Sequence, residues 1–391
     1  MKDSGFQTKS VREGQKTSNE QEHSAAIFLT SSFQFNNAEQ AAERFDSNKG
    51  NIYSRFTNPT VESFQNKLAV LEGAEKCQAT SSGMSAIFAT IMTILKPGEH
   101  MVASRSMFGT TIVLLNNIIT KFGIKVTFVD LPDLDSWKKS VQKNTKLFLL
   151  ETPSNPLGEV VDIKKLSAIS KKNNIVLAVD NCIMTPALQR PLSLGADLVL
   201  HSATKYIDGQ GRCLAGAVAG NGLIVDEISS FTRSTGPTLS AFNAWVALKS
   251  LETLSLRIKV HSESAMKLAN WLESQAFVDK VYYIGLQNHP HHETAKKQQT
   301  GYGGIVSFEV KGGKKEAFRL INNTKMISIT ANLGDAKTTI THPSTTTHVR
   351  LTADEKNQSC ISENLVRISV GLENIEDLIE DMESALNAAK K

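Results

Sequence analysis

The sequence predicts an α/β protein with a mostly parallel sheet covered by helices, followed by a smaller α+β domain. From about Glu72 to residue 230, short apolar runs alternate with segments of helical periodicity. The runs are almost continuously apolar, as expected of strands whose two faces are both covered by helices. Beyond a long helical stretch, strand and helix patterns follow in a mixed order, which favours a second and smaller domain.

The chain divides into three predicted segments. Its 391 residues exceed the size of one compact core. Residues 1–60 are polar and rich in turn-forming residues without a sustained periodicity, so we expect an N-terminal arm and not a domain. Residues 61–250 form the predicted α/β domain, and residues 251–391 form the predicted C-terminal α+β domain.

Six apolar runs are predicted strands of the α/β domain: HMVASRS, IKVTFVD, TKLFLLETP, NNIVLAVDN, ADLVLHS and LAGAVAG. Segments with helical spacing of apolar residues, such as VDIKKLSAISKKNN, separate these runs. The stretch FNAWVALKSLETLSLRIKVHSESAMKLANWLESQ is predicted to be one long helix. In the C-terminal domain we expect strands at YGGIVSFEV and NLVRISV, and helices around 315–322 and 376–388.

Composition limits the kinds of partner. The chain has 43 Lys and Arg against 39 Asp and Glu, which gives a formal net charge of +4 at pH 7. A charge this small and scattered is not the basic surface of a nucleic-acid-binding protein, so we expect small-molecule partners. The polar N-terminal segment has neither the apolar core of a signal peptide nor a membrane span. We therefore expect no membrane association and a cytoplasmic location.

The cysteines and histidines do not indicate a metal site. The cysteines are far apart in the chain and fit neither a CxxC pair nor a metal-ligand spacing, so we expect four reduced thiols, at Cys77, Cys182, Cys213 and Cys360. The stretch NHPHHE, residues 288–293, contains three histidines. Adjacent imidazoles in a polar, proline-containing segment seldom converge on one ion, and we predict no metal there.

Polar residues follow several predicted strands, where the ligand site of an open α/β sheet lies. The turn SSGMSA, residues 81–86, leads into a helical pattern, and free N–H groups at a helix N-terminus suit a phosphate. An ordinary helix cap formed by Ser81 or Ser82 explains the same pattern. Asn155 in TPSNP is placed to bond a ring substituent, although a simple Asn-Pro turn is the alternative.

Asp180 and Lys205 are the strongest signal in the sequence. Asp180 ends the apolar run IVLAV, and a carboxylate buried there needs a cationic or N–H partner, unless it is a strand-end cap or ion pair. Lys205 follows ADLVL, beside the hydroxyls of Ser202 and Thr204, where burial or nearby charge can lower its pKa. An acid that holds a pyridinium nitrogen and an amine that holds an aldehyde together suit pyridoxal phosphate.

The stretch DNCIMTPALQRPLSLGADLVLHSATKYIDGQGR, residues 180–212, resembles the signature of the cystathionine gamma-synthase-like family of pyridoxal-phosphate enzymes in cysteine and methionine metabolism. Similar segments run along nearly the whole chain: YSRFTNPT, SSGMSA, ETPSNP, STGPTLSAFNAWVALKSLETL, THPSTTTH and VRISVGLE. The resemblance implies the fold of pyridoxal-phosphate-dependent transferases, which is aspartate aminotransferase-like and of type I.

The resemblance also implies residues that bind pyridoxal 5′-phosphate. Lys205 is expected to bind the cofactor covalently and then to move protons, and Asp180 is expected to pair with the pyridine nitrogen. The remaining expected cofactor contacts within the chain are Gly83, Met84, Phe108, Asn155, Ser202 and Thr204. Tyr53 and Arg55 would reach the phosphate of a neighbouring subunit, so that each active site needs two chains of a homotetramer.

Two further residues are expected to bind the substrate. Arg367 would bind its α-carboxylate, a task that suits a planar guanidinium, and Asn332 is the second expected substrate-binding residue. Phe108 stands where many relatives have a tyrosine on the cofactor ring, so stacking is kept and a hydroxyl is lost. The stretch GQGR stands where many relatives have a GH motif, and together with residues 331–348 it resembles the O-succinylhomoserine sulfhydrylase branch.

The expected reaction is therefore γ-replacement on O-succinylhomoserine with sulfide, which gives homocysteine and succinate in methionine biosynthesis. Cystathionine gamma-synthase, O-acetylhomoserine sulfhydrylase and γ-lyase activities remain alternatives, as does a non-catalytic binding module on the same fold. A nucleotide-binding protein is disfavoured, because no GxGxxG or GxxxxGK[ST] turn follows the strands. The sequence leaves open the acyl group, the thiol acceptor and the oligomeric state beyond a dimer.

Overall fold

The structure is a computed structural model that describes residues 4–15, 17–47 and 49–390. Its strands are β1 Lys76–Thr80, β2 His100–Ser104, β3 Lys125–Val129, β4 Thr145–Glu151, β5 Val176–Asp180, β6 Leu198–Ser202, β7 Gly216–Gly220, β8 Val278–Tyr282, β9 Ile305–Val310, β10 Ser328–Ile329, β11 Thr339–Thr341 and β12 Leu365–Ser369. The first seven form one sheet and the last five form another.

The α-helices of the described residues are α1 Phe6–Arg12, α2 Ala38–Ser47, α3 Pro59–Glu72, α4 Gly83–Ile94, α5 Gly109–Asn117, α6 Leu134–Lys139, α7 Ile163–Lys172, α8 Thr185–Leu188, α9 Gly222–Thr235, α10 Ala241–Leu251, α11 Leu254–Glu273, α12 His292–Gln298, α13 Lys314–Asn322, α14 Ala353–Gln358 and α15 Ile375–Ala389. Short 3₁₀ helices lie at Ile119–Phe122, Pro191–Leu194 and Pro343–Thr345.

The larger sheet has the order β1-β7-β6-β5-β4-β2-β3. Strand β7 runs antiparallel to β1 and β6, and the other neighbours pair in parallel. The prediction of a mostly parallel sheet is therefore confirmed, and the six predicted runs form β2 to β7. Along β2, Met101 and Ala103 pack on one face and Val102 on the other, so both faces are covered by helices.

The smaller sheet has the order β10-β11-β12-β9-β8 and is antiparallel except for the β10–β11 pair. Helices α11, α13 and α15 pack against it, and their apolar residues form one core with those of β9 and β12. Helices α13 and α15 coincide with the two helices predicted in this part of the chain. The α+β character of this region is confirmed, whereas the predicted domain boundaries remain a prediction.

The prediction of one long helix after residue 240 is wrong, because α10 and α11 are separate helices with Glu252 and Thr253 between them. Side chains compete for the backbone carbonyls at this point. The hydroxyl of Ser250 donates to Val246 O at 2.7 Å, and the Arg257 guanidinium donates to Ser250 O at 2.9 Å. Carbonyls that accept from side chains in this way favour a break in the helix.

The N-terminal arm contains more structure than its sequence predicts, since α1 and α2 lie within it. Helix α1 is fixed by the buried Lys67, whose Nζ donates to Ser10 O at 2.8 Å. Helix α1 has only seven residues, and α2 is amphipathic but buries none of its described residues. No helix of the described residues has the length and the apolar composition to cross a membrane.

Candidate active site

A cavity of about 650 Å³ lies between the two sheets, and we call it the inter-sheet cavity. Its size is within the range of about 300–1,000 Å³ that is usual for small-molecule sites. Glu151, Asp180 and Ser202 line it, and each is the last residue of its strand, β4, β5 or β6. The parallel strands therefore deliver three polar side chains to one edge, as is general in open α/β sheets.

Lys205 lies in the turn after β6 and reaches into the inter-sheet cavity. Its amide donates to Ser202 O at 3.2 Å, which fixes the turn, and its Nζ donates to Asn332 Oδ1 at 2.5 Å. Burial lowers the pKa of the Lys205 amine, and the nearby positive charge of Arg367 lowers it further. A lower pKa increases the fraction of neutral amine at a given pH, which is the form that acts as nucleophile or base.

Asp180 and Glu151 form a pair of carboxyl groups at the floor of the cavity. They are direct partners in the parallel pairing of β4 and β5. Asp180 Oδ1 accepts from the Cys182 amide at 2.9 Å, and burial raises the pKa of Asp180 to about 6. Burial and the neighbouring Asp180 raise the pKa of Glu151 well above its usual range. The two carboxyl groups therefore tend to carry one negative charge between them, and this charge can pair with one cationic group of a ligand.

Helix α4 begins at the edge of the cavity. Ser82 caps it by accepting from the Ser85 amide at 3.1 Å, and Gly83 and Met84 line the cavity. Within the described part of the chain, the amides of Gly83 and Met84 donate to no protein acceptor. A Cβ at Gly83 would lie 2.7 Å from Ser202 Cβ, so only glycine lets the helix come this close to the end of β6.

Arg367 is almost completely buried on β12 and faces the cavity from the second sheet. Its guanidinium donates to Asn155 Oδ1 at 3.3 Å, to Ala331 O at 3.0 Å and to Asn332 O at 2.9 Å. Its Nε is buried and has no partner among the described residues. An unpaired buried N–H group destabilises the protein. A bound anion that accepts a hydrogen bond from this Nε would remove that cost.

Phe108 precedes α5 and lines the same cavity. Its amide donates to Glu151 Oε2 at 3.0 Å, which ties the ring position to the carboxyl pair. The next residue, Gly109, packs against the turn of residues 343–352, since a Cβ there would lie 2.6 Å from Thr347 O. This contact brings Thr346, Thr347, Val349 and Arg350 to the cavity wall.

These features fit pyridoxal phosphate. The two free amides at the start of α4 suit its phosphate, and the Asp180 carboxylate suits its protonated ring nitrogen. The amine of Lys205 suits its aldehyde, and the half-buried ring of Phe108 offers an aromatic surface for stacking. Each of these groups lines one continuous cavity.

Comparison with known proteins agrees with this fit. A model of the family described as Cys/Met metabolism PLP-dependent enzyme matches residues 7–387. The chain belongs to this family. It is 52% identical to the O-succinylhomoserine sulfhydrylase of Pseudomonas aeruginosa over 99% of this chain and 96% of that protein. It is 43% identical to an L-methionine gamma-lyase of Fusobacterium nucleatum subsp. polymorphum, over 92% of each chain.

Solved structures of the family share the fold. The cystathionine gamma synthase of Xanthomonas oryzae pv. oryzae, solved in complex with aminoacrylate and cysteine, superposes with a TM-score of 0.95. It is 34% identical to this chain and the match covers 99% of both chains. The predicted fold class and the predicted cofactor are thus confirmed: this family member is a pyridoxal-phosphate-dependent enzyme.

Three of the predicted site residues do not line the inter-sheet cavity. The hydroxyl of Thr204 accepts from the Ala215 amide at 3.0 Å and lies within 3.3 Å of Ala215 O. The exposed Tyr53 lies outside the cavity, with the Arg55 guanidinium 5.5 Å from its ring centroid. Arg55 also donates to the carbonyl of Arg233. Their expected roles toward a phosphate remain predictions.

Several residues of the cavity were missed from the sequence. Glu151 stands in the quoted motif ETPSNP, and the pairing of two consecutive parallel strands was a signal that could have found it. Cys182 stands two residues after Asp180 and lines the cavity, where burial raises the pKa of its thiol. No sequence pattern indicated Arg350 as a site residue, because it lies in a turn without any periodic pattern.

Among the described residues, the histidine-rich stretch included, no group of three or more His, Cys, Asp or Glu side chains converges in a way that could hold a metal ion. His289 Nε2 is hydrogen-bonded to Leu157 O at 3.2 Å and His292 Nδ1 to Ile284 O at 2.9 Å. Burial lowers the pKa of His289 to about 4, so this ring is neutral at physiological pH. These imidazoles hold loops together.

Proposed function

We propose that the protein catalyses γ-replacement on O-succinyl-L-homoserine with sulfide, which yields homocysteine and succinate. One observation carries the proposal. Asn332 accepts from Lys205 Nζ at 2.5 Å through its side chain and from Arg367 at 2.9 Å through its backbone carbonyl. The amine and the guanidinium thus meet at one residue, so an amino acid whose carboxylate is held by Arg367 would have its α-carbon near Lys205.

Each residue has a distinct task in this reaction. Arg367 binds the α-carboxylate, for which its planar guanidinium and its unpaired Nε are suited. Lys205 takes the α proton, moves a proton at the β carbon, and returns both after replacement. Asp180 keeps the ring nitrogen protonated. The bound cofactor supplies the electron sink that makes the α and β protons acidic.

The atoms balance without a further reactant. The bond between Cγ and the ester oxygen breaks, and succinate leaves with that oxygen. A bond between Cγ and the sulfur of hydrogen sulfide forms in its place. The proton that hydrogen sulfide releases offsets the negative charge of the carboxylate formed on the leaving succinate. Phe108 has no hydroxyl, so the proton transfers fall to Lys205.

The choice of substrate follows the 52% identity to the O-succinylhomoserine sulfhydrylase of Pseudomonas aeruginosa. A γ-lyase activity is the second candidate, because relatives at 41–43% identity bear the name L-methionine gamma-lyase. Both reactions share the steps up to loss of the γ substituent, and they differ in whether a thiol then adds. A non-catalytic binding module is disfavoured, since Lys205, Asp180 and Arg367 all line one cavity.

Product identification tests the proposal. The purified holoenzyme is incubated with O-succinyl-L-homoserine alone, with added sulfide, and with added cysteine. We expect homocysteine with sulfide at a rate well above that of 2-oxobutyrate release. Cystathionine from cysteine at a higher rate would identify a cystathionine synthase, and 2-oxobutyrate as the main product in all three mixtures would identify a lyase.

The oligomeric state of the protein is part of the same proposal. Tyr53 and Arg55 lie on the surface of the arm, outside the cavity of their own chain, and they would bind the cofactor phosphate of a neighbouring subunit in a homotetramer. Light scattering of the holoenzyme, together with mixing of Arg55→Ala and Lys205→Ala chains, tests this arrangement. Partial recovery of activity on mixing is expected if sites are shared. We also propose a cytoplasmic location, where the four thiols would stay reduced.

A further inference from the structure

The inter-sheet cavity contains one cation more than the reaction at the α-carbon requires. Its lining includes three cationic side chains, Lys205, Arg350 and Arg367, and the carboxyl pair of Glu151 and Asp180. Lys205 and Arg367 are hydrogen-bonded within the cavity. Arg350 makes no hydrogen bond or ion pair with any described residue, and it is exposed at the mouth.

The position of Arg350 is nevertheless fixed by its neighbours. His348 and Leu351 on either side are buried, and the His348 amide donates to Pro343 O at 3.0 Å. The Leu351 amide donates to His348 O at 3.1 Å, which closes the turn. Leu351 packs into the core beneath the larger sheet. A guanidinium on an anchored turn loses less conformational entropy on binding than one on a mobile loop.

Different parts of the cavity wall have different chemistry. The first turn of α4 lies against Ser202, at the end of β6, and offers amides to a phosphate. The turn that carries Arg350 lies against Gly109, at the start of α5, on the side of Phe108. Arg367 enters from the second sheet and has the unpaired Nε for the α-carboxylate. Arg350 is thus left for an anion carried by the γ substituent.

We propose that Arg350 binds the distal anionic group of the γ-ester and thereby makes the enzyme prefer a succinyl to an acetyl ester. This inference rests on the proposed function, because it assigns the second carboxylate of that substrate. Succinyl and acetyl esters react at the same Cγ–O bond, and the succinyl chain is the longer by one methylene group that carries a carboxylate. A guanidinium–carboxylate contact is the interaction that distinguishes them.

The preference is measured with matched variants. Arg350→Ala should reduce kcat/KM for O-succinyl-L-homoserine about 10- to 150-fold, the range for loss of a hydrogen bond to a charged group, and change that for O-acetyl-L-homoserine less than about threefold. Arg350→Lys should keep part of the preference, since it keeps the charge. Lys356→Ala removes a cation from α14 that does not line the cavity, and should leave the preference unchanged.

Binding without turnover separates this inference from the proposed function. Calorimetry of both esters with cofactor-loaded Lys205→Ala protein should give tighter binding of the succinyl ester, and adding Arg350→Ala should abolish the difference. This result supports the inference even if no ester yields homocysteine with sulfide. Equal losses for both esters, or weaker binding of the cofactor itself in Arg350→Ala, would overturn the inference while the proposed function stands.

O-Phospho-L-homoserine serves as a third probe, because its phosphate offers Arg350 the same chemistry. If the phosphoryl ester is the better substrate and its advantage disappears in Arg350→Ala, the role of Arg350 in binding a γ-anion holds and the succinyl preference is overturned. If the phosphoryl ester is turned over no faster than the acetyl ester, the distal carboxylate of the succinyl chain is the anion that Arg350 selects.

Discussion

Asp180 and Glu151 stand side by side at the ends of two neighbouring parallel strands and face one cavity. Two adjacent buried carboxyl groups do not both ionise readily, and the pKa of Glu151 is raised well above its usual range by burial and by Asp180. Glu151 also accepts the Phe108 amide. It therefore supports the floor of the site and leaves Asp180 to carry the negative charge that we propose for the cofactor ring nitrogen.

Asp180 should make cofactor binding depend on pH. Its pKa of about 6 means that the carboxyl is ionised above this pH and neutral below it. The affinity of the apoenzyme for pyridoxal phosphate should therefore fall as the pH decreases through about 6, as measured by fluorescence titration. Asp180→Asn should bind weakly at every pH without this transition, whereas Glu151→Gln should retain it. A transition of equal size in Asp180→Asn would assign it to another group.

Lys205→Ala should abolish γ-replacement, with a loss of at least about 10³-fold, because it removes both the covalent attachment and the base. The visible absorbance of the holoenzyme should change at the same time, since the cofactor is then bound without its lysine. Homocysteine release and the absorption spectrum are the measurements. Lys337→Ala, an exposed lysine of the neighbouring loop, is the matched control. Turnover by Lys205→Ala at near the rate of this control would refute the assigned role.

Gly83→Ala should weaken cofactor binding more than it weakens the fold. The new methyl group would lie 2.7 Å from Ser202 Cβ, so the start of α4 must move away from the phosphate end of the cavity. We expect at least a tenfold higher Kd for pyridoxal phosphate by equilibrium titration. Gly313→Ala is the control, because a Cβ there has no atom within 4 Å. Equal affinities in the two variants would show that the close approach at Gly83 is not needed.

Arg367→Lys should raise KM for succinyl and acetyl esters alike, by about 10- to 100-fold, because lysine loses the planar pair of donors for the α-carboxylate. Steady-state kinetics with both esters checks this expectation. The contrast with Arg350→Ala is the useful control, since that variant should discriminate between the esters. If Arg367→Lys affected only the succinyl ester, Arg367 would bind the distal carboxylate and Arg350 the α-carboxylate.

Phe108→Ala should weaken cofactor binding about tenfold, the order expected when aromatic stacking is lost. Phe108→Tyr should keep the affinity, because the ring is retained, and the backbone bond from residue 108 to Glu151 is independent of the side chain. Titration of the apoenzymes with pyridoxal phosphate measures both effects. Equal affinities of Phe108→Ala and the native protein would exclude a stacking role.

Much of the architecture was predictable because buried parallel strands have a strong apolar signature. The six predicted runs became β2 to β7, and the residues just after them led to Asp180 and Lys205. Helix α1 was not predicted, since it is short and depends on contacts such as that of Lys67 with Ser10. Helix α2 was missed although its sequence is amphipathic. The break between α10 and α11 was also missed, because it depends on the hydrogen bond from the Arg257 guanidinium to Ser250 O, which apolar spacing does not reveal.

The site was predictable where chemistry follows a strand end and not where it depends on packing between elements. Glu151 required knowledge that β4 and β5 are neighbours in register. Arg350 required knowledge that its turn packs on Gly109. Neither fact is encoded in a local pattern, because both arise from residues far apart in the chain.

The hydrogen bonds of Lys205 with Asn332 and of Arg367 with Asn155 cross the boundary between the two sheets. A ligand that occupies the inter-sheet cavity is therefore in contact with residues of both sheet regions at once. Any ester that fits should raise the midpoint of thermal unfolding, by an amount that grows with the logarithm of its concentration divided by its Kd. A collection of amino-acid esters can thus be ranked by melting temperature alone, before the sulfur donor used in the cell is known.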